Sequence, residues 1–186
     1  MSTARQLNYS YEDYLRIEEN SPVRHEYLAG EVYAMAGGSP ERGALALRAA
    51  RVLGDALPGC TPLSSDVRIH VGATGLTTYP DVSFCCGKLE RTLIDRQAIT
   101  NPTVVVEVTS PSTEAYDRGE KLNHYRQLEK LEAIVLVSHR EARITVVERS
   151  ADGWRHTDYV AGERALLSAR GAGLTVDDVY AVLADL

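Results

Sequence analysis

What the chain lacks narrows it first. No apolar run in its 186 residues approaches the roughly 20 needed to cross a bilayer. The start, MSTARQLNYSYEDYLRIEEN, has no apolar h-region, so no secretory signal is expected. The three cysteines, Cys60, Cys85 and Cys86, form no CxxC pair. Cys85 and Cys86 are adjacent in an expected strand and so point to opposite faces. All three read as reduced, mostly buried thiols of a cytoplasmic protein. Lysine is scarce: Lys88, Lys121 and Lys130 are the only ones among 20 basic residues. With a net charge of −6, the chain is not a strongly basic, sequence-blind nucleic-acid binder, because phosphate contacts need Lys and Arg. A local basic cleft is still compatible with that charge. The histidines 25, 70, 124, 139 and 156 show no HExxH spacing and read as surface or satisfied residues, with His124 alone near the site developed below. No nucleophile-elbow glycine pattern surrounds Ser110 or Ser112, which read as a turn and a helix cap. "GGSP" has no Lys to make a phosphate loop, and Trp154 reads as strand packing.

What is present is an ordinary globular composition, 44% hydrophobic and 25% charged, in one domain spanning 1–186 with a core of about 10–185. Ser10-Tyr-Glu-Asp13 is a capping-box start for a helix over 10–18. "RHEYLAGEVYAMAGG" reads as a hairpin turning at Ala29-Gly30. Ser39-Pro40-Glu41 opens a helix carrying Leu45, Ala49, Val52, Leu53 and Ala56 at helical spacing, ended by Pro58-Gly59. Strands are expected over 61–71 and 76–85, then a loop or short helix over 88–101. A Val-rich strand follows over 103–109, then a helix over 113–130 capped by Ser112 or Thr113, and an apolar strand over 132–138. Strands over 143–149 and 154–160 and a helix starting at a Thr175 cap, with Asp178 at the capping-box position, complete the chain. Two continuous apolar strands flanking a helix predict a parallel crossover. The fold class is α/β, a mixed sheet with helices packed on it.

One residue breaks the Val-rich strand. In "VVVEVTSPS", Val104, Val105, Val106 and Val108 call for burial, yet Glu107 sits among them. An ionised carboxylate in a dry interior is strongly disfavoured unless it is paired, protonated or bound to a metal. The options are therefore an Arg salt bridge, a neutral carboxyl or a shared divalent cation. Asp81, just after Pro80 in another strand, is the natural co-ligand. Two carboxylates, the Val108 carbonyl and waters form the hard oxygen set that Mg²⁺ or Mn²⁺ takes. In the helix that follows, Asp117, Lys121 and Tyr125 stand at i, i+4 and i+8 on one face. A Lys over the strand's C-terminal end can stabilise developing charge or orient a water. The alternative is an Asp117–Lys121 pair on a solvated helix face.

"YPDVSF" followed by "NPTVVVEVTSPSTEAYDRGEKLNHYRQLEKLEAIVLVS" closely resembles the Uma-two family, bacterial domains labelled "putative restriction endonuclease" within the PD-(D/E)XK nuclease superfamily. The likeness runs from "YSYEDYLRIEE" to the C-terminal helix. It implies a restriction-endonuclease-like core, a central mixed sheet flanked by helices, and metal-binding roles for Asp81 and Glu107. In that superfamily the catalytic Lys stands two residues after the second acid, where this chain has Thr109. The resemblance implies that Lys121, on the next helix, supplies it instead. Glu31 matches a recurrent acidic position, as a further ligand or water-orienting group, against the reading of an exposed hairpin acid. Arg42 stands where relatives often carry His, and is a candidate phosphate contact.

The expectation is a Mg²⁺- or Mn²⁺-dependent endonuclease acting on DNA, with homodimerisation suited to cutting two strands. The rivals are a nuclease fold serving as a binding or scaffold module, and a metal-dependent hydrolase of a smaller phosphate ester. Arg42, Arg48 and Arg51 are candidates for a backbone-contacting face, although their spacing does not align all three.

Overall fold

In the computed structural model, described over residues 8–35, 37–110 and 113–186, helices and strands alternate around one large mixed sheet. Helix α1 (Tyr11–Asn20) opens on the expected capping box: Ser10 Oγ accepts from the Asp13 amide, and the Asp13 carboxylate accepts from the Ser10 amide. Strands β1 (His25–Leu28) and β2 (Glu31–Ala34) make the expected hairpin, its turn holding Ala29 at φ 50° and Gly30 at φ 92°. Helix α2 (Pro40–Ala56) starts with Ser39 capping the Arg42 amide and Pro40 in the first turn.

Two expected strands each divide into two. The run 61–71 becomes β3 (Cys60–Ser64) and β4 (Arg68–Val71), and the run 76–85 becomes β5 (Leu76–Thr78) and β6 (Val82–Cys86). The second break falls on Tyr79-Pro80-Asp81, where Pro80 has no N–H to give a ladder. β4 pairs with β5 in one sheet and β3 with β6 in another, so the chain crosses between sheets twice. The connection over 88–101 contains the short β7 (Ala98–Ile99), parallel to β4.

Strand β8 (Val104–Val108) leads through two short helices, α3 (Glu114–Arg118) and α4 (Glu120–Tyr125), to β9 (Ala133–Val137), which pairs parallel with β8. The parallel crossover is as expected, but the single helix over 113–130 is not. It breaks at Gly119, where a Cβ would lie 2.9 Å from the Ala115 carbonyl oxygen. Thr113 occupies the N-cap position without a side-chain bond to a helix amide. Ser112, the other cap candidate, lies outside the described residues. Strands β10 (Arg143–Ser150) and β11 (Gly153–Val160) form the expected hairpin. An unanticipated ribbon follows, β12 (Arg164–Leu167) with β13 (Ala172–Thr175). Helix α5 (Val176–Tyr180) begins after Thr175, but Thr175 makes no side-chain cap bond, so the expected capping box with Asp178 does not form.

The main sheet runs β11-β10-β9-β8-β6-β3, and a second sheet runs β2-β1-β5-β4-β7. β8 lies inside the main sheet, and period-two alternation sorts its side chains. Val104, Val106 and Val108 join the cluster formed with Leu45, Ala49 and Leu53 of α2. Val105 joins Leu122 and Tyr125 of α4 with Ile69 and Leu76 of the second sheet. Glu107 falls on this second face. The expectation of three reduced thiols is overturned: Cys60 and Cys86, paired across β3 and β6, are disulfide-bonded, and only Cys85 is free and buried. Strand pairing brought together two residues far apart in sequence, so the cysteine count carries no argument about compartment. No helix among the described residues is long and apolar enough to cross a membrane.

Candidate functional site

Glu107 is 1% exposed, so its charge must be answered inside the protein. Its Oε1 accepts from the Tyr125 hydroxyl at 2.6 Å and lies 2.8 Å from the Lys121 ammonium. The partner is thus a lysine, not the arginine considered above. The Asp117–Lys121 pair is not a solvated one either: both side chains are buried, and Lys121 Nζ stands 3.9 Å from Asp117 Oδ1. The break at Gly119 leaves Asp117, Lys121 and Tyr125 on the same side. Thr113 donates its hydroxyl to Asp117 Oδ2 at 2.6 Å.

Asp81 lies at the bend before β6, beside the C-terminal end of β8. Its Oδ2 accepts the Val108 amide at 2.7 Å and two guanidinium N–H groups of Arg42, at 3.0 and 3.3 Å. All three bonds fall on Oδ2. Arg42, the candidate phosphate contact, is thus ion-paired with Asp81. Arg48 donates to the Asp178 carbonyl, so the three arginines of α2 do not form one face. Thr109, where the superfamily lysine would stand, is buried, with its hydroxyl 3.1 Å from His139 Nδ1. Glu31 accepts from the Tyr33 hydroxyl.

The acid from this hairpin that meets Lys121 is Glu26, on β1, at 3.2 Å. Glu26 also accepts from the Thr78 hydroxyl. Sequence reasoning missed it. Period-two alternation separates Glu26 from Tyr27, but which face of the hairpin turns toward Lys121 depends on how the second sheet packs against the first.

Four carboxylates, those of Glu26, Asp81, Glu107 and Asp117, thus share two cations, Arg42 and Lys121. Fully ionised, the group has two negative charges in excess. Burial, with Asp81 and Asp117 adding repulsion that Lys121 only partly offsets, pushes the Glu107 carboxyl up to about 7. Burial also pushes Asp117 up, against Lys121 and the Thr113 bond. For Lys121, burial opposes its charge, but Glu107, Tyr125, Glu26 and Asp117 outweigh it and hold the ammonium protonated. Glu107 Oε2 is buried with no hydrogen-bond partner.

No group of three or more acidic, histidine or cysteine side chains among the described residues is placed to hold a metal. Two acids still fit a hard cation that completes its shell with water. Glu107 brings an unpartnered buried oxygen and Asp81 an oxygen outside its three bonds, and the donors are all oxygen.

Comparison with known proteins identifies the fold and the family. The fold is that of a solved structure described as a "putative nuclease belonging to DUF820" from Anabaena variabilis, with a TM-score of 0.75, covering 92% of this chain and 97% of that one at 14% identity. The chain belongs to the Uma2 family, described as "Putative restriction endonuclease", which it matches over residues 11–177. Two Synechocystis proteins are relatives. "Uncharacterized protein slr1290" is 39% identical over 94% of this chain and 93% of its own, and "Uncharacterized protein sll1609" is 28% identical over 82% and 88%.

Proposed function

We propose that the protein is a divalent-cation-dependent nuclease hydrolysing DNA phosphodiester bonds, with Asp81, Glu107 and the Val108 carbonyl as the cation's ligands. The observation that carries this reading is the orphaned Glu107 Oε2 within a group of four acids that, when fully ionised, exceeds its two cations by two charges. One divalent cation balances that excess and supplies the missing partner. The family's description supports the reaction class and DNA as substrate.

When bound, Mg²⁺ or Mn²⁺ would make a coordinated water a stronger nucleophile and polarise the phosphate. The chain's own groups prepare the rest. Tyr125 and Lys121 hold Glu107 Oε1, which leaves Oε2 to face outward from them. The Val108 amide fixes Asp81 against β8. Lys121 is too buried to anchor a substrate backbone, so its role is to position water and stabilise charge beside Glu107. Glu26 and Asp117 keep that ammonium charged.

The test is cleavage of supercoiled plasmid and single-stranded DNA with Mg²⁺ or Mn²⁺, wild type beside Glu107→Gln. Cutting by wild type that the variant loses is the expected result. A second reading rests on the ion pairs themselves: Arg42–Asp81 and Lys121–Glu107 already compensate both acids, as a nuclease fold kept for binding would. No cutting by either protein favours that reading.

A further inference from the structure

Arg42 sits where it is locally disfavoured. It is the third residue of α2, in the first turn, where the helix dipole opposes a positive charge. It is also largely buried, with 18% of its side chain exposed against 15% for Asp81. What holds it there is the acid group. Two of its N–H groups reach Asp81, and its charge is favoured next by Glu107 and Asp117. Lys121 answers these acids from the closed side of the site, and Arg42 answers them from the side that opens to solvent.

That open side is a cleft of about 720 Å³. Arg42, Asp81, Ser39 and Gly38 line one part of it, and Ser64 and Ser65 another. Glu107 and Lys121 do not line it. Of the two cations in the charged group, Arg42 is therefore the one an anion in the cleft meets; Arg24, paired with Asp66, also lines the cleft.

On the reading of the site as a cation-dependent nuclease, we propose that Arg42 is a positioning residue that exchanges partners. It neutralises Asp81 when no substrate is present, and turns to a phosphodiester phosphate in the cleft when one arrives, releasing Asp81 to the cation. A guanidinium and a divalent cation compete for the same carboxylate, and each repels the other. A phosphate offers the guanidinium an equally good bidentate partner. Cation and phosphate binding are then coupled positively, and linkage makes the coupling equal in both directions. Without phosphate the cation binds weakly, so the charged group is poised rather than permanently loaded.

The test is Mn²⁺ binding, read from the EPR signal of free Mn²⁺, on the intact protein and on Arg42→Gln, Arg42→Lys and Glu107→Gln, each with and without dimethyl phosphate. Circular dichroism melts confirm that each variant is folded. Wild type should bind Mn²⁺ about tenfold more tightly when dimethyl phosphate is present, within the usual range of coupling between sites. Arg42→Gln should bind about tenfold more tightly than wild type without phosphate and lose the response to it. Arg42→Lys, which keeps the charge, should stay near wild type without phosphate. Equal Mn²⁺ affinity in wild type and Arg42→Gln, with Glu107→Gln defective, overturns the partner exchange and leaves the cation site standing. Absence of Mn²⁺ binding in wild type and Arg42→Gln alike overturns the cation site, and the exchange with it.

Discussion

Two of the buried acid–base pairs among the described residues are built to different standards. In the first, Arg68 meets Asp95 through two parallel bonds, Nε to Oδ2 at 2.6 Å and Nη2 to Oδ1 at 2.8 Å. The remaining capacity is filled: Tyr11 donates to Oδ2, the Gln97 and Ala98 amides donate to Oδ1, and Arg68 reaches the Tyr79 hydroxyl. In the second, Lys121 and Glu107 meet through a single contact among an excess of acids, and Glu107 Oε2 has no partner. Burial raises both carboxyls. The Arg68 and Tyr11 bonds outweigh it for Asp95, whose pKa falls, whereas Glu107 rises to about 7. A closed pair ties β4 to the 88–101 connection and to α1. An unfinished one leaves capacity for something that arrives later.

Breaking the closed pair should have the largest effect on stability. Asp95→Asn leaves Arg68 buried without its counter-charge and should cost about 3–5 kcal/mol, seen as a lowered denaturant midpoint that no added cation restores. Breaking the unfinished pair should fall mainly on activity. Lys121→Met should lower DNA cleavage about 100- to 1,000-fold in a plasmid-nicking assay, the scale of losing one charge-stabilising group.

A pH series separates the two pairs further. The folded Glu107 value of about 7 lies above its ordinary 4.5, so the folded state holds that proton more tightly than the unfolded chain. The resulting stability is present below about 4.5 and is lost as pH rises through about 7. Relative to Glu107→Gln, wild type should therefore lose melting temperature across this range, by about 2–4 °C for each kcal/mol. Mn²⁺ should reduce that loss if it binds there. The Asp95 pair behaves oppositely, its stability being lost as pH falls. The smallest effect should come from Glu26→Gln, which removes one of three acids around Lys121 while Glu107 and Asp117 hold the ammonium; cleavage should fall by about tenfold or less.

Much of this was legible in the chain. Glu107 is conspicuous because a carboxylate among valines has few physical explanations, and the i, i+4, i+8 spacing of Asp117, Lys121 and Tyr125 survives the break at Gly119. The parallel β8–β9 crossover follows from two apolar strands around a helical segment. What was not legible depends on packing between elements. Strand patterns over 61–71 and 76–85 show no sign that the chain changes sheets partway, although Pro80 marks one of the two places. Arg42 stands out on α2 as a candidate phosphate contact, but its pairing with Asp81 depends on how α2 packs beside the bend before β6. Cys60 and Cys86 looked like unrelated thiols until strand register set them side by side.

By itself the sequence determined the local matters: the capping box of α1, the β1–β2 and β10–β11 hairpins, the alternation that sets Glu107 on the opposite face from Val106 and Val108, and the types of group available for chemistry. Each rests on interactions within a few residues, where spacing and geometry are set by the backbone. The tertiary structure decided which charges share one space. That Glu26 joins Lys121, that Arg42 closes on Asp81, and that four acids meet only two cations follow from how two sheets and three helices pack. Coulomb energy depends on distance and burial, and neither is written in the order of residues.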